Sequence, residues 1–196
     1  FLSSNGAANG SGGDGLLSWE APPANAPADH FVYDPADPTP HPDFYVAPED
    51  LQAELDDAKR ELRYEEEKAK RKAFHAEVEA TRGDILVYEL PALEAPLTLV
   101  GPIEAVLYAA TSAPDTDWFV HLSEVRADGE VVAIASGKVR ARYRESMREP
   151  TLLEPGKVYA YSIDLWHTGI EIPVGNSLRV SIASAAFPVF SRNLNT

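Results

Sequence analysis

The chain has 196 residues, 44% of them hydrophobic, which suits one globular unit with an appendage. Seventeen Lys and Arg stand against 31 Asp and Glu, a net charge of −14 that opposes long-range attraction to a phosphate backbone and argues against a nucleic-acid partner. The absence of cysteine removes disulfides, thiol nucleophiles and thiolate metal sites, and favours the cytoplasm slightly over export without excluding it.

No apolar run reaches the roughly 18 residues that a membrane span needs, so no membrane partner is expected. The start, Phe1-Leu2-Ser3-Ser4, has neither the basic lead nor the apolar core of a signal peptide. Phe1 in place of an initiating Met points to sequence upstream.

Residues 1–48 are rich in Gly, Asn, Ser, Pro and Asp and contain no Lys or Arg, which predicts an irregular segment. Leu16-Leu17-Ser18-Trp19 and His30-Phe31-Val32-Tyr33 are its expected anchors, because Trp19, Phe31 and Tyr33 argue for packing on a sandwich rather than a free linker.

Residues 49–82 hold eleven acidic and eight basic residues with no Gly or Pro, and this predicts a long charged helix inserted before the sandwich. Leu51, Leu55, Ala58, Leu62, Ala69, Ala73, Ala76 and Ala80 form a thin stripe at spacings of three and four. Two readings stay open: an arm that grips another domain or a second copy of the chain, and a solvated helix laid on the domain surface.

Residues 83–196 read as short β-rich runs: 85–88, 97–100, 105–108, 118–125, 131–143, 158–165 and 178–182. Their spacing predicts an antiparallel β-sandwich, with successive strands paired as neighbours. Asp128-Gly129 marks a hairpin, and Pro155-Gly156 suits a type II turn.

The search for chemistry is mostly negative. A serine nucleophile of the α/β-hydrolase type sits in G-x-S-x-G, where small flanking residues let the backbone turn sharply and expose the hydroxyl. No serine here has that context, and Ser11 is preceded two residues earlier by Asn9 instead of glycine. The histidines, His30, His41, His75, His121 and His167, lack the spacing of a zinc pair on one helix face. No cofactor or metal is expected. Asp115 and Asp117 underfill a calcium site and read better as turn-capping or salt-bridging groups.

Lys138, Arg140, Arg142 and Arg144 alternate along one predicted strand, which would set four cations on one face. That face suits either an interdomain contact or pairing with acidic neighbours on adjacent strands. Trp166 and His167 follow a predicted strand and suit either a cleft wall or a cap on the core.

The segments Asp115-Thr116-Asp117-Trp118-Phe119, Tyr33-Asp34-Pro35-Ala36-Asp37-Pro38, Arg82-Gly83-Asp84-Ile85-Leu86, Ala141-Arg142-Tyr143-Arg144-Glu145 and Phe187-Pro188-Val189-Phe190-Ser191-Arg192-Asn193 occur in one order and spacing. Together they resemble the C-terminal domain of the X-prolyl dipeptidyl peptidase, cocaine esterase (CocE/NonD) and α-amino-acid ester hydrolase group. The resemblance implies a jelly-roll, galactose-binding-like sandwich that follows an α/β-hydrolase domain bearing the Ser-Asp-His triad, so no triad member falls in this chain. It also implies that the sandwich packs on that hydrolase domain and walls its cleft, with Trp166, His167, Arg140, Arg142 and Arg192 as contact candidates. Relatives continue past the position of Thr196 with a closing strand, so the sandwich is expected to lack its last one. The alternative is a stand-alone jelly roll that binds carbohydrate or protein.

Overall fold

The computed structural model describes residues 1–41 and 57–196. The expected helix start at Glu49, with Leu51 and Leu55 of its stripe, lies outside them. The elements in chain order are β1 (Leu2–Ser3), β2 (Leu16–Leu17), α1 (Asp57–Thr81), β3 (Ile85–Glu89), β4 (Leu97–Ala109), β5 (Asp117–Val125), β6 (Val131–Arg140), β7 (Tyr159–Ile172) and β8 (Ser177–Ala183). They form a β-sandwich with a single helix among the described residues.

One sheet has six strands in the order β1-β2-β3-β8-β5-β6, and β4 and β7 form the second. The larger sheet is mixed rather than purely antiparallel, because β2 runs parallel to β3 at Leu16 and Glu89. Only β1 with β2 and β5 with β6 pair as antiparallel neighbours in sequence. From β3 to β5 and from β6 to β8 the chain changes sheets at each step, which places β8 between β3 and β5.

Alternation explains the core. Trp118, Val120 and Leu122 of β5, Leu86 and Tyr88 of β3, and Leu178 and Ile182 of β8 point inward against Tyr161, Ile163 and Leu165 of β7. Trp118 meets the Phe31 ring edge-on at 6.2 Å and the Tyr161 ring at 5.9 Å. Fully burying each such side chain contributes roughly 1.5–3 kcal/mol. The sheets close tightly where β6 passes β7: a Cβ on Gly137 would lie 2.3 Å from the backbone oxygen of Asp164, so only glycine fits.

The outer face of the larger sheet is covered. Phe190 packs on Phe119 at 5.4 Å and lies under the Lys138 ammonium at 3.7 Å, while the His41 ring meets that of His121 at 5.4 Å. Leu17 and Phe31 of the N-terminal segment pack against the core. Leu16, Val32 and Trp19, the last 68% exposed, do not anchor the segment as the sequence suggests.

Helix α1 also differs from expectation. Among its described side chains, from Tyr64 on, His75, Val78 and Glu79 are buried and Phe74 is partly buried, while Ala69, Ala73, Ala76 and Ala80 face solvent. Val78 joins Ile85, Val87 and Ala183 in a small second core. The strip of sheet beneath carries Arg179, so an ionic anchor outcompetes an alanine stripe that buries little area.

Strand ends differ as well. The two predicted runs at 97–100 and 105–108 are one 13-residue strand, passing through Gly101 and Pro102. Strand β6 stops at Arg140 and turns into a short 3₁₀ segment, Ala141–Tyr143, so Arg142 and Arg144 do not share a strand face with Lys138 and Arg140. The cause is local: Thr116 O accepts the Ala141 N–H at 2.9 Å, and Asp115 Oδ1 accepts the Arg142 N–H at 2.9 Å.

Candidate functional site

Of the five contact candidates, Arg140 and Arg142 meet in one network with Asp115 and Asp117. The Asp115 carboxylate, 1% exposed, accepts Arg142 Nε at 2.7 Å and Asn193 Nδ2 at 3.0 Å. Asp117 sits directly opposite Arg140 in the β5–β6 register and accepts its Nε at 2.8 Å and Nη2 at 3.0 Å. The Asn193 amide nitrogen bridges the two acids, reaching Asp117 Oδ1 at 3.0 Å as well. The Asp117 hydrogen bond raises the pKa of Arg140 above the ordinary guanidinium range, so the cation is fixed.

The network ties both ends of the chain to the sandwich. Tyr33 Oη donates to Asn193 O at 2.9 Å, Arg192 Nη1 donates to Pro35 O at 3.0 Å, and Arg142 Nη2 donates to Thr196 O. Burial, with the Asp117 charge adding to it, raises the pKa of the Tyr33 phenol. A second clamp holds residues 37–39: Arg82 donates to Asp37 and Asp84, and Thr39 Oγ1 donates to Asp84 Oδ2 at 2.6 Å. Burial opposes ionisation of Asp84, but the Arg82 and Thr39 hydrogen bonds outweigh it and hold its pKa below the usual carboxylate range.

A third set anchors α1. Glu79, 2% exposed, binds Arg179 Nη1 at 2.5 Å, and Arg179 Nη2 binds Glu89 at 2.6 Å. Burial pushes the Glu79 pKa up, yet the His75 hydrogen bond and the Arg179 charge prevail and leave it lowered.

Trp166 and His167 lie apart from these clusters. They fall inside β7, where the register slips opposite Pro102 and Glu104, instead of after a strand end. Trp166 adopts φ 70°, its N–H is held by Asp164 Oδ1 at 2.7 Å, and its ring is 72% exposed. Val100, Val106 and Tyr108 are also exposed on the alternating outward positions of β4. Most of the larger sheet's outer face is covered, whereas this face leaves these apolar side chains open among Glu104, Asp164 and Glu171.

The chemistry follows from the partners. Asp84, Asp115 and Asp117 are engaged by guanidinium groups, so they hold the fold. Among the described residues no group of three or more His, Asp or Glu side chains is placed to hold a metal ion. A shallow cavity of about 550 Å³, lined by His30, Phe31, Asp34, Asp37, Arg82 and Asp84 among others, sits over the second clamp. Asn193, Arg82 and Arg179 were not legible as network members, because each joins groups at least 45 residues apart.

A β-sandwich pinned by buried salt-bridge networks is the class of domain these features define. The family model for the X-Pro dipeptidyl-peptidase C-terminal non-catalytic domain matches residues 1–196, and the chain belongs to that family. Cocaine esterase of Rhodococcus sp. (strain MB1 Bresler) is 34% identical over all 196 residues, which make up 31% of that esterase. The crystal structure of an aminopeptidase from a marine sediment archaeon, Thaumarchaeota archaeon, aligns with the whole chain at a TM-score of 0.74 and 26% identity, covering 31% of its own length. An α-amino acid ester hydrolase structure has the same fold, with a TM-score of 0.72 at 24% identity over 30% of its chain. The chain thus spans about a third of the length of these relatives.

Proposed function

We propose that this chain is the accessory sandwich of a serine ester or peptide hydrolase, packed on an α/β-hydrolase domain of the same polypeptide and walling its substrate cleft. The observation that carries this reading is the full-length family match to a segment that is 31% of cocaine esterase, in a chain with no G-x-S-x-G serine. The outward face of β4 and β7, around Trp166, His167 and Tyr108, is the proposed contact with that domain, because its apolar side chains are exposed. Arg140, Arg142 and Arg192 contribute indirectly, through the network that fixes Pro35, Asn193 and Thr196 on the sandwich.

The test is a fluorophosphonate label applied to the protein as its source cell makes it, followed by peptide mapping. The expected adduct lies on a serine outside residues 1–196. An adduct on a serine within them, or an unlabelled protein of 21.3 kDa, overturns the proposal.

A further inference from the structure

Helix α1 is 25 residues long, about 37 Å at 1.5 Å per residue. Among its described side chains, Phe74, His75, Val78 and Glu79 in the last two turns are seated on the sandwich, and Lys72 reaches Asp128 of the β5–β6 hairpin at 3.7 Å. From Tyr64 to Ala73 every side chain is exposed except that of Glu67, which is half-buried. A helix that is polar all round and unsupported by a core needs a partner or dense ion pairing to persist in water. Among the described pairs, Lys68 with Glu65 at 4.0 Å, Lys70 with Glu67 at 3.0 Å and Lys72 with Asp128 at 3.7 Å are on the surface and contribute little.

The charges along this exposed stretch are segregated. Glu65, Glu66 and Glu67 make one acidic turn, and Lys68, Lys70, Arg71 and Lys72 make the next turn basic. Two such helices side by side in parallel would set acid on acid and base on base. Laid antiparallel about a two-fold axis between the two turns, each acidic turn meets the other copy's basic turn, which is the self-complementarity that a symmetric dimer requires. The face opposite the sandwich presents Ala69, Ala73, Ala76 and Ala80, all exposed, and their small side chains let a second helix approach closely.

From this geometry we propose that α1 is an antiparallel dimerisation arm whose occupant is α1 of a second copy of this chain. The body of each protomer, which carries the excess of acid, is then held at the two far ends of the helix pair, where mutual repulsion is least.

The test is analytical ultracentrifugation of the 196-residue chain and two charge-reversed variants. The wild type is expected to dimerise with concentration, twice the 21.3 kDa protomer mass at the upper end, and to dissociate as salt is raised. The variant E65K/E66K and the variant K68E/K70E/R71E should each be monomeric, at least about tenfold weaker than wild type in self-association. An equimolar mixture of the two should restore a dimer. Circular dichroism of each variant checks that the sandwich is intact, as expected because all five positions are exposed. A monomeric wild type, a mixture that stays monomeric, or a basic run that binds anionic vesicles while the protein remains monomeric overturns the proposal.

Discussion

Substituting Arg142 with Ala removes the only guanidinium bonded to Asp115 among the described residues, and the Asp115 carboxylate is 1% exposed. Asp115 keeps the Arg142 N–H at 2.9 Å and Asn193 Nδ2 at 3.0 Å, so it remains hydrogen-bonded but loses its cation. Breaking a fully buried pair costs about 3–5 kcal/mol. The Arg142 side chain is 28% exposed, so water screens part of the loss, and about 2–3 kcal/mol is the expected figure. For a chain of this size that lowers Tm by roughly 4–12 °C, with loss of the Thr196 and Tyr33 ends as the first opening. Thermal and urea unfolding of R142A, D115N and the double variant measure it. The double variant carries no uncompensated charge, so it should be more stable than the sum of the single losses predicts, by at least about 1 kcal/mol. A R142A loss below about 1 kcal/mol, or additivity within about 0.5 kcal/mol, refutes the reasoning.

G137A drives a methyl group against the Asp164 backbone oxygen, and neither strand can yield without opening the sandwich; the urea midpoint should fall by the equivalent of about 1–3 kcal/mol. Acid should unfold the clamps in a defined direction. Glu79 and Asp84 have lowered pKa values in the folded chain, so their contribution is present above about pH 4.5 and is lost as pH falls through the lower folded values. E79Q/D84N should flatten the slope of stability between about pH 4.5 and pH 2, and an unchanged slope counts against the assignment. W166S should shift the stability of this chain by less than about 0.5 kcal/mol, because the ring is 72% exposed, and should lower the Tm of the intact polypeptide in which a hydrolase domain covers it.

What the sequence made legible was local. Alternation alone puts Trp118, Val120 and Leu122 on the core face, and Asp128-Gly129 marks its own hairpin, since Gly129 takes φ 83° and Asp128 Oδ1 accepts the Glu130 N–H at 3.0 Å. Strand order was not legible, because β8 joins β3 and β5 across separations that no local pattern records. The alternation of Lys138, Arg140, Arg142 and Arg144 continued in sequence beyond the point where Thr116 and Asp115 capture the backbone and end the strand. The site followed the same division. The acid pair Asp115 and Asp117 was readable as salt-bridging, whereas Asn193, which joins both acids, carries no signal in its own surroundings.

The clamps narrow where partners can act. The Arg82 set seats residues 37–39, and the Asp115–Arg142–Asn193 set draws the C-terminal segment against β5 and β6. With Phe190 and His41 packed over β5, most of the larger sheet's outer surface is occupied from within. Two extended surfaces stay open among the described residues: the outward face of β4 and β7, apolar around Trp166, and the charged length of α1. Their chemistry differs enough that one partner does not suit both. An apolar sheet face fits a permanent contact that is insensitive to salt, as a domain of the same polypeptide makes, whereas a charge-segregated helix fits a reversible, salt-sensitive one. W166S should therefore leave the concentration dependence of the chain's mass unchanged, and the helix charge reversals should leave the Tm gain from the hydrolase domain unchanged. Cross-effects between the two would mean that a single partner spans both surfaces.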